Sequence, residues 1–385
     1  MTTTESDLRR DLRGLIDRIC ADYPDEYWRD VDDRRRYPEE FVDALTTTGC
    51  LGALVPEDYG GLGVGIGDAS VLLEQIHANG GNAAAVHAQL YTMGSVLRHG
   101  SDEQKRRYLP AIASGELRLQ AFGITEPTAG TDTTSIRTTA KPVAGGYVVN
   151  GQKVFTSRLQ HSDLMLLLAR TTPRDQVAKR SDGISLFLVD LREAEGIDAR
   201  PLRTMVNHET NEVFFNDVHI PADSLVGEEG RGFRYVLDGM NAERILVASE
   251  CIGDGRWFVR RAAKYATERV VFDRPIGQNQ GVQFPIARAY ANVEAADLMR
   301  WKACDLFDAG TFCGAEANMA KMLASEASWE AANAALQTHG GYGFTAEYDV
   351  ERKFRETRLY QVAPISTNLI LSYLAEHVLG MPRSF

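Results

Sequence analysis

Apolar positions recur at helical spacing from about residue 7 to 118, as in Leu8, Leu12, Leu15, Ile16 and Ile19, so this stretch is predicted to be helical. Tyr23-Pro24 and the run Tyr59-Gly60-Gly61-Leu62-Gly63 interrupt it, because proline and glycine punctuate regular structure. Between about Leu119 and Gly227 the texture changes to short runs rich in Val, Phe, Ile and Leu, at 147–149, 164–168, 184–189 and 213–215. Gly145-Gly146, Asn150-Gly151 and Asp182-Gly183 lie before or between them. Evenly spaced short strands with such turns predict an antiparallel barrel or sandwich. From Gly232 onward the helical period returns with few prolines, which predicts a helical bundle that also packs against neighbouring subunits. The expected organisation is mainly α with a central β-domain: a helical domain over 1–118, a β-domain over 119–227 and a helical bundle over 228–385.

Within the last segment, Phe233, Val236, Met240, Glu243 and Val247 fall in steps of three and four. That is the core stripe of an amphipathic helix with a carboxylate on it. Desolvating a carboxylate is costly, so Glu243 is paired, neutralised or used. Turning toward Arg244 or water at the stripe edge is the structural alternative to a chemical role.

Composition narrows the function class. The chain has 385 residues, 44% hydrophobic and 25% charged, with a formal net charge of −11. That charge argues against sequence-independent hold on nucleic acid or an anionic membrane, both of which need a basic surface. The basic run Arg34-Arg35-Arg36 follows Asp30, Asp32 and Asp33 and reads as a solvated loop. Five cysteines (Cys20, Cys50, Cys251, Cys304 and Cys313) without a C-x-x-C point to a reducing compartment. Residues 1–7 show no secretory signal, and no apolar run approaches the ~20 residues of a membrane span. A cytoplasmic location is expected. No P-loop, H-E-x-x-H or G-x-S-x-G occurs, Gly61 to Gly67 do not match G-x-G-x-x-G, and no metal site is expected.

Thr125-Glu126-Pro127-Thr128-Ala129-Gly130-Thr131-Asp132 resembles the T-E-P-x-A-G-S-D signature of acyl-CoA dehydrogenases. Asn150-Gly151-Gln152-Lys153, Glu268-Arg269-Val270-Val271-Phe272, Gln280 with Gln283-Phe284, and Gln337-Thr338-His339-Gly340-Gly341-Tyr342-Gly343 agree in order and spacing. So do Val55-Pro56-Glu57-Asp58-Tyr59-Gly60-Gly61 and Gly100-Ser101-Asp102-Glu103-Gln104-Lys105. The resemblance covers nearly the whole chain. It implies an N-terminal helical domain, a central β-domain and a C-terminal four-helix bundle, assembled as a homotetramer (a dimer of dimers) that holds FAD partly between subunits. It places Phe122, Ile124 and Thr125 along the isoalloxazine, with Phe155 stacking on the ring and Ser157 bonding N5, where the family commonly has Trp and Thr. It assigns Arg269 and Gln280 to the pyrophosphate and adenosine across a subunit boundary, and sets Phe272 in the same cofactor-binding segment. Gln337, Gly340 and Gly341 fall where backbone approaches the cofactor. Asp273 stands where the family usually has Gly.

The resemblance also implies α,β-dehydrogenation of a short, medium or branched acyl-CoA, with electrons passing to an electron-transferring flavoprotein. The reaction needs a carboxylate to take the α-proton while the carbonyl is polarised. Most of the family carries that base in a late Y-E-G-T loop. A minority, of isovaleryl- and long-chain type, carries it in a helical L-D-x-E-R motif. Here Gly239-Met240-Asn241-Ala242-Glu243-Arg244 matches the helix motif, with Asn241 for the usual Asp, and Ala363-Pro364-Ile365-Ser366 falls on the loop. Glu243 is therefore the expected base. Thr131, Asn241 and Arg244 are expected near the CoA moiety, and Ser366 and Asn368 near the cofactor's phosphate or ribityl. Pro364 has no N–H to offer a thioester oxygen. His87, Gln89, Tyr91 and Met93 face either an acyl tail or a helix surface. The same desaturation on a carrier-protein-bound acyl group, flavin oxygen chemistry, and a non-catalytic FAD-binding scaffold subunit are the alternatives. A base at Glu243 disfavours the oxygenase.

Overall fold

The computed structural model describes residues 6–383; residues 1–5, on which the signal-peptide expectation largely rests, lie outside them. The first helices are α1 (Asp7–Ala21), α2 (Asp25–Asp33), α3 (Glu39–Thr47), α4 (Ile66–Ala78), α5 (Ala84–His99) and α6 (Asp102–Ser114). The strands β1 (Ala121–Gly123), β2 (Thr139–Val143), β3 (Gly146–Ser157), β4 (Leu164–Arg170), β5 (Ile184–Asp190), β6 (Ile197–Pro201), β7 (Thr210–Pro221) and β8 (Leu225–Val226) follow. Then come α7 (Gly232–Glu268), β9 (Val270–Val271), β10 (Arg274–Pro275), α8 (Gln280–Asp308), α9 (Gly314–His339), α10 (Val350–Arg358) and α11 (Thr367–Tyr373). The chain folds into two compact units. One takes in the segment up to Arg34, Gly65–Ala83 and everything from Asn241; the other takes in Arg35–Val64 and Ala84–Met240.

The second unit is built around an eight-stranded sheet in the order β6-β7-β3-β2-β4-β5-β8, with β1 added on β4. It does not close into a barrel, because β6 and β8 remain edges. The seam in its middle is narrow: β2 and β4 share the single position Thr139 opposite Arg170. Val149 of β3 and Val213 and Phe215 of β7 pack in one core with Leu167 of β4 and Phe187 of β5, an arrangement compatible with a sandwich. The pairing is mostly antiparallel, as expected, but β1 runs parallel to β4. β4 is apolar from Leu164 to Leu168 and buried along its whole length, which fits a strand covered on both faces. The turn into α6 is fixed by a capping box: the Ser101 hydroxyl accepts from Gln104 N, and the Gln104 side chain accepts from Ser101 N.

The first unit is helical. Trp257, Phe258, Ala262 and Ala266 of α7 form a core with Ile286 and Ala289 of α8, Ala331, Ala332 and Ala335 of α9, and Val350 of α10. The expected stripe holds: Val236, Glu243 and Val247 are all buried. Gly253 lets α7 cross close to α4, since a Cβ there would collide with the Glu74 carbonyl and the His77 side chain. Beside that crossing, Glu74 of α4 receives Arg13 of α1 and Arg300 of α8, each at 2.9 Å, together with Arg256 of α7. Among the described residues no helix is long and apolar enough to cross a membrane, and none of the five buried cysteines forms a disulfide.

Candidate cofactor and base sites

In the sheet unit, the segment after β1 is pinned to β3 by a buried ion pair. Lys153 Nζ lies 2.9 Å from Glu126 Oε1 and donates to the Ile124 carbonyl at 3.1 Å. Glu126 also accepts from the backbone N–H groups of Arg137 (2.6 Å) and Thr138 (2.9 Å). Burial would raise the Glu126 pKa, but Lys153 and these donors hold it below the usual carboxylate range. Burial pushes Lys153 down to about 8 against the attraction of Glu126, so the pair is charged at neutral pH. Val154 N adds a bond to the Thr125 carbonyl at 2.9 Å. Ile124 and Thr125 are thereby held alongside the end of β3, which carries Phe155 and Ser157. The sequence resemblance contained Glu126 and Lys153 without giving them a task, and Lys153, directly after Asn150-Gly151-Gln152, has no apolar run around it to mark it as buried.

Phe155 lies in a β-bulge of β3 between Lys153 and Thr156. Its φ of 59° is left-handed, rare for an aromatic residue, and it leaves the ring 65% exposed. An outward aromatic on strained backbone is suited to stacking. Ser157 Oγ accepts from Asn207 Nδ2 at 2.7 Å and lies 3.0 Å from Thr210 Oγ1, so its orientation is set from β7 and the loop before it. Phe122, in β1, is half-buried and tilted against Tyr91 with ring centroids 5.8 Å apart. Thr131 is exposed in the following loop, whose Thr134 and Ile136 carbonyls are gripped by the buried Arg170 at 2.5 and 3.0 Å. Gln89 takes no part in a surface stripe: it is buried, donating to the Leu51 carbonyl and accepting from Leu119 N. Met93 is also core, whereas His87 and Tyr91 are half-buried.

In the helical unit, a cleft of about 530 Å³ brings together Arg269, Gly340, Gly341 and Tyr342. The Arg269 guanidinium lies over the Tyr342 ring at 5.9 Å. Gly340 has φ 59° and ψ −131°, a conformation open essentially to glycine alone. A Cβ at Gly340 or Gly341 would meet nothing within 4 Å, so the backbone there is bare toward the cleft. Bare backbone beside an accessible arginine fits a dinucleotide phosphate. Phe272, Gln280 and Gln337 are exposed and do not line this cleft. Phe272 is 93% exposed at the tip of the β9–β10 hairpin, where it and Asp273 both have positive φ. A two-residue turn of this kind favours Gly, Asn or Asp, which accounts for Asp273 in place of the family's glycine.

Glu243 is 6% exposed in the interior of α7. The next residue, Arg244, donates from Nη1 to Asn241 Oδ1, three residues back in the helix, at 3.0 Å. Burial lowers the Arg244 pKa, and the Glu243 charge works against that. The segment 363–366, between α10 and α11, carries no carboxylate. The Ala363–Pro364 peptide is cis, and the Ile365 carbonyl accepts from Lys321 Nζ at 2.7 Å. Ser366 caps α11, its Oγ accepting from Leu369 N at 3.4 Å. Asn368 is exposed in the first turn of that helix. No group of histidine, cysteine or carboxylate side chains among the described residues could hold a metal ion.

The sheet unit carries an outward aromatic beside a fixed hydroxyl, suited to a flavin ring; the helical unit carries an arginine–glycine cleft suited to a phosphate and, outside that cleft, a buried carboxylate. Sequence models of the acyl-CoA dehydrogenase N-terminal, middle and C-terminal domains match residues 2–116, 121–218 and 230–379. The chain belongs to the acyl-CoA dehydrogenase family, and is an oxidoreductase with FAD as its cofactor. It is 37% identical to acyl-CoA dehydrogenase FadE12 of Mycobacterium tuberculosis over 99% of this chain and 98% of that one. Butyryl-CoA dehydrogenase from Megasphaera elsdenii superposes with a TM-score of 0.92 at 27% identity, covering 98% of this chain and all of that one (100%). PigA with FAD and proline superposes with a TM-score of 0.92 at 25% identity, covering 99% and 100%.

Proposed function

We propose that the protein desaturates a short, medium or branched acyl-CoA at its α,β-bond, with Glu243 as the base. The observation that carries this reading is the buried carboxylate on α7 combined with a 363–366 segment that has none. Bound FAD supplies acceptance of the hydride that leaves Cβ. Glu243 takes the α-proton onto its carboxylate, and Arg244, bonded to Asn241, lies beside it in the helix. Thr131, Asn241 and Arg244 hold the CoA moiety. Phe155 stacks on the flavin ring, Thr125 and Ser157 offer hydroxyls at its edge, and Phe122 and Ile124 line it. Arg269 and the bare backbone of Gly340 and Gly341 hold the pyrophosphate. Gln280, Phe272 and Gln337, outside that cleft, meet the cofactor of a neighbouring subunit in a homotetramer, and Ser366 and Asn368 reach its ribityl or phosphate. Pro364 has no N–H, so the amide of Ile365 is the donor for the thioester oxygen. The domain boundaries of this assembly are 1–118, 119–227 and 228–385, and electrons pass on to an electron-transferring flavoprotein.

Anaerobic titration of the purified protein with a panel of acyl-CoAs tests the reading. The expected result is a bound flavin that one class of acyl-CoA bleaches, in a particle that sediments as four chains. A flavin bleached only by acyl groups on a carrier protein would move the substrate to that class. A flavin that neither bleaches would make the chain a scaffold subunit.

A further inference from the structure

Four rings gather at the cleft of the helical unit. Tyr265 and His339 stack with centroids 4.2 Å apart, Tyr348 lies edge-on to both at 5.9 and 5.8 Å, and Tyr342 is tilted against Tyr348 at 5.2 Å. His339 Nδ1 lies 2.8 Å from the Ala335 carbonyl, which fixes that ring in turn. Tyr265, His339 and Tyr342 line the cleft together with Arg269. The Arg269 backbone is held on both sides: its N–H donates to the Tyr265 carbonyl and its carbonyl accepts from Ile276 N, each at 2.9 Å. Its side chain is exposed and, among the described residues, has no carboxylate partner. The contact that the guanidinium does make is with the Tyr342 ring, 5.9 Å from the centroid, inside the ~6 Å over which a ring face attracts a cation. The family resemblance gives tasks to Gln337, Gly340 and Gly341 of this segment and none to Tyr342.

We propose that Tyr342 is a positioning residue for Arg269: its ring holds the guanidinium at the cleft, where it meets the pyrophosphate of the dinucleotide. The proposal rests on the reading of this cleft as the pyrophosphate site. A guanidinium is planar, so it can turn one face to a ring while its N–H edge points at phosphate oxygens. Both contacts are therefore made at once. A long exposed side chain loses rotamer freedom when a ligand immobilises it; a ring that holds it beforehand reduces that cost. The ring is itself supported. Tyr348 backs Tyr342, and Tyr265 of α7 and His339 at the end of α9 back Tyr348. The position of an exposed turn residue is thus set by two long helices.

The test is FAD affinity, read from flavin fluorescence at one protein concentration, in wild type, Tyr342→Phe, Tyr342→Leu, Arg269→Met and the Tyr342→Leu/Arg269→Met double variant. Loss of the ring face in Tyr342→Leu is expected to raise the FAD dissociation constant by about 3- to 10-fold, the worth of a partly exposed cation–π contact. Tyr342→Phe keeps the face and should bind as wild type does. Arg269→Met should raise the constant by about 10-fold or more, as for a lost charge-assisted bond. The double variant should bind no more weakly than Arg269→Met, because without the guanidinium the ring has nothing to hold. Tyr342 is 44% exposed, so its truncation opens no buried cavity; Tyr342→Gln stands in if Tyr342→Leu does not accumulate. Additive losses in the double variant would make Tyr342 merely structural and overturn the proposal. So would wild-type affinity in Tyr342→Leu, or an equal loss in Tyr342→Phe. Arg269→Met separates the two failures. If it binds FAD as wild type does, the pyrophosphate is not in this cleft, and the reading falls together with the proposal. If it binds weakly while Tyr342→Leu is unaffected, only the role of Tyr342 is lost.

Discussion

Two of the carboxylates withdrawn from water, Glu126 and Glu243, are set to different work by their neighbours. Glu126 is spent on geometry: Lys153 and two backbone amides occupy its oxygens and keep it ionised. Glu243 stands in a helix interior, next to Arg244 in the chain, and in the proposed reaction it must gain and lose a proton. The hydroxyl of Ser157 shows the same division at smaller scale. Asn207 donates to it, which leaves its own proton for Thr210 or for a ligand. Ser157→Ala is expected to cost about 1 kcal/mol of stability, the worth of an ordinary hydrogen bond. It should also slow flavin reduction by about 5- to 10-fold, the kinetic equivalent of one such bond. Rapid-mixing reduction kinetics and a denaturant titration measure the two effects separately. An unchanged reduction rate would take Ser157 out of the site.

Among the elements, the packing of α1, α4, α7 and α8 turns on Glu74. Burial would raise its pKa, but Arg300, Arg256 and Arg13 together bring it down to about 2. Because the folded value lies below the ordinary 4.5, this carboxylate contributes stability fully above 4.5. The contribution is lost as pH falls from there toward 2. Glu74→Gln leaves three guanidinium groups without their shared partner and is expected to cost about 3–5 kcal/mol, as for a broken buried ion pair. Its acid-unfolding profile should also be flatter than that of wild type between those pH values. A variant as stable as wild type at neutral pH would show that the network merely offsets its own desolvation. The close crossing at Gly253 is what lets one carboxylate reach so many helices.

At the scale of the whole molecule, periodicity made the helix–strand–helix order legible, and the apolar runs at 164–168 and 184–189 fell within β4 and β5. The stripe through Glu243 was legible for the same reason: core spacing in a helix is local. Of the two expected forms of the β-domain, barrel or sandwich, the sheet is compatible with the sandwich and does not close; the pattern alone did not separate them, because register and edges depend on partners far apart in the chain. β6, half-exposed and containing Asp198 and Arg200, has no apolar run to announce it. The parallel pairing of β1 with β4 leaves no mark on either strand alone. The ion pairs were hidden likewise: Glu74 and Arg300 are 226 residues apart, and each reads as a surface charge until the fold brings them together. Of the residues that motif order proposes for the cofactor, Arg269, Gly340 and Gly341 share a cleft. Asn207 and Lys321 lie outside every motif and emerge only from their contacts.

The central claim is that Glu243 takes the α-proton, and the most direct test is anaerobic reduction of Glu243→Gln by an acyl-CoA that bleaches the wild-type flavin. The expected variant keeps its flavin, binds the acyl-CoA with an affinity near that of wild type, and loses bleaching by about 10²-fold or more, the contribution typical of a general base. A variant that bleaches at the wild-type rate would contradict the account and place the base elsewhere.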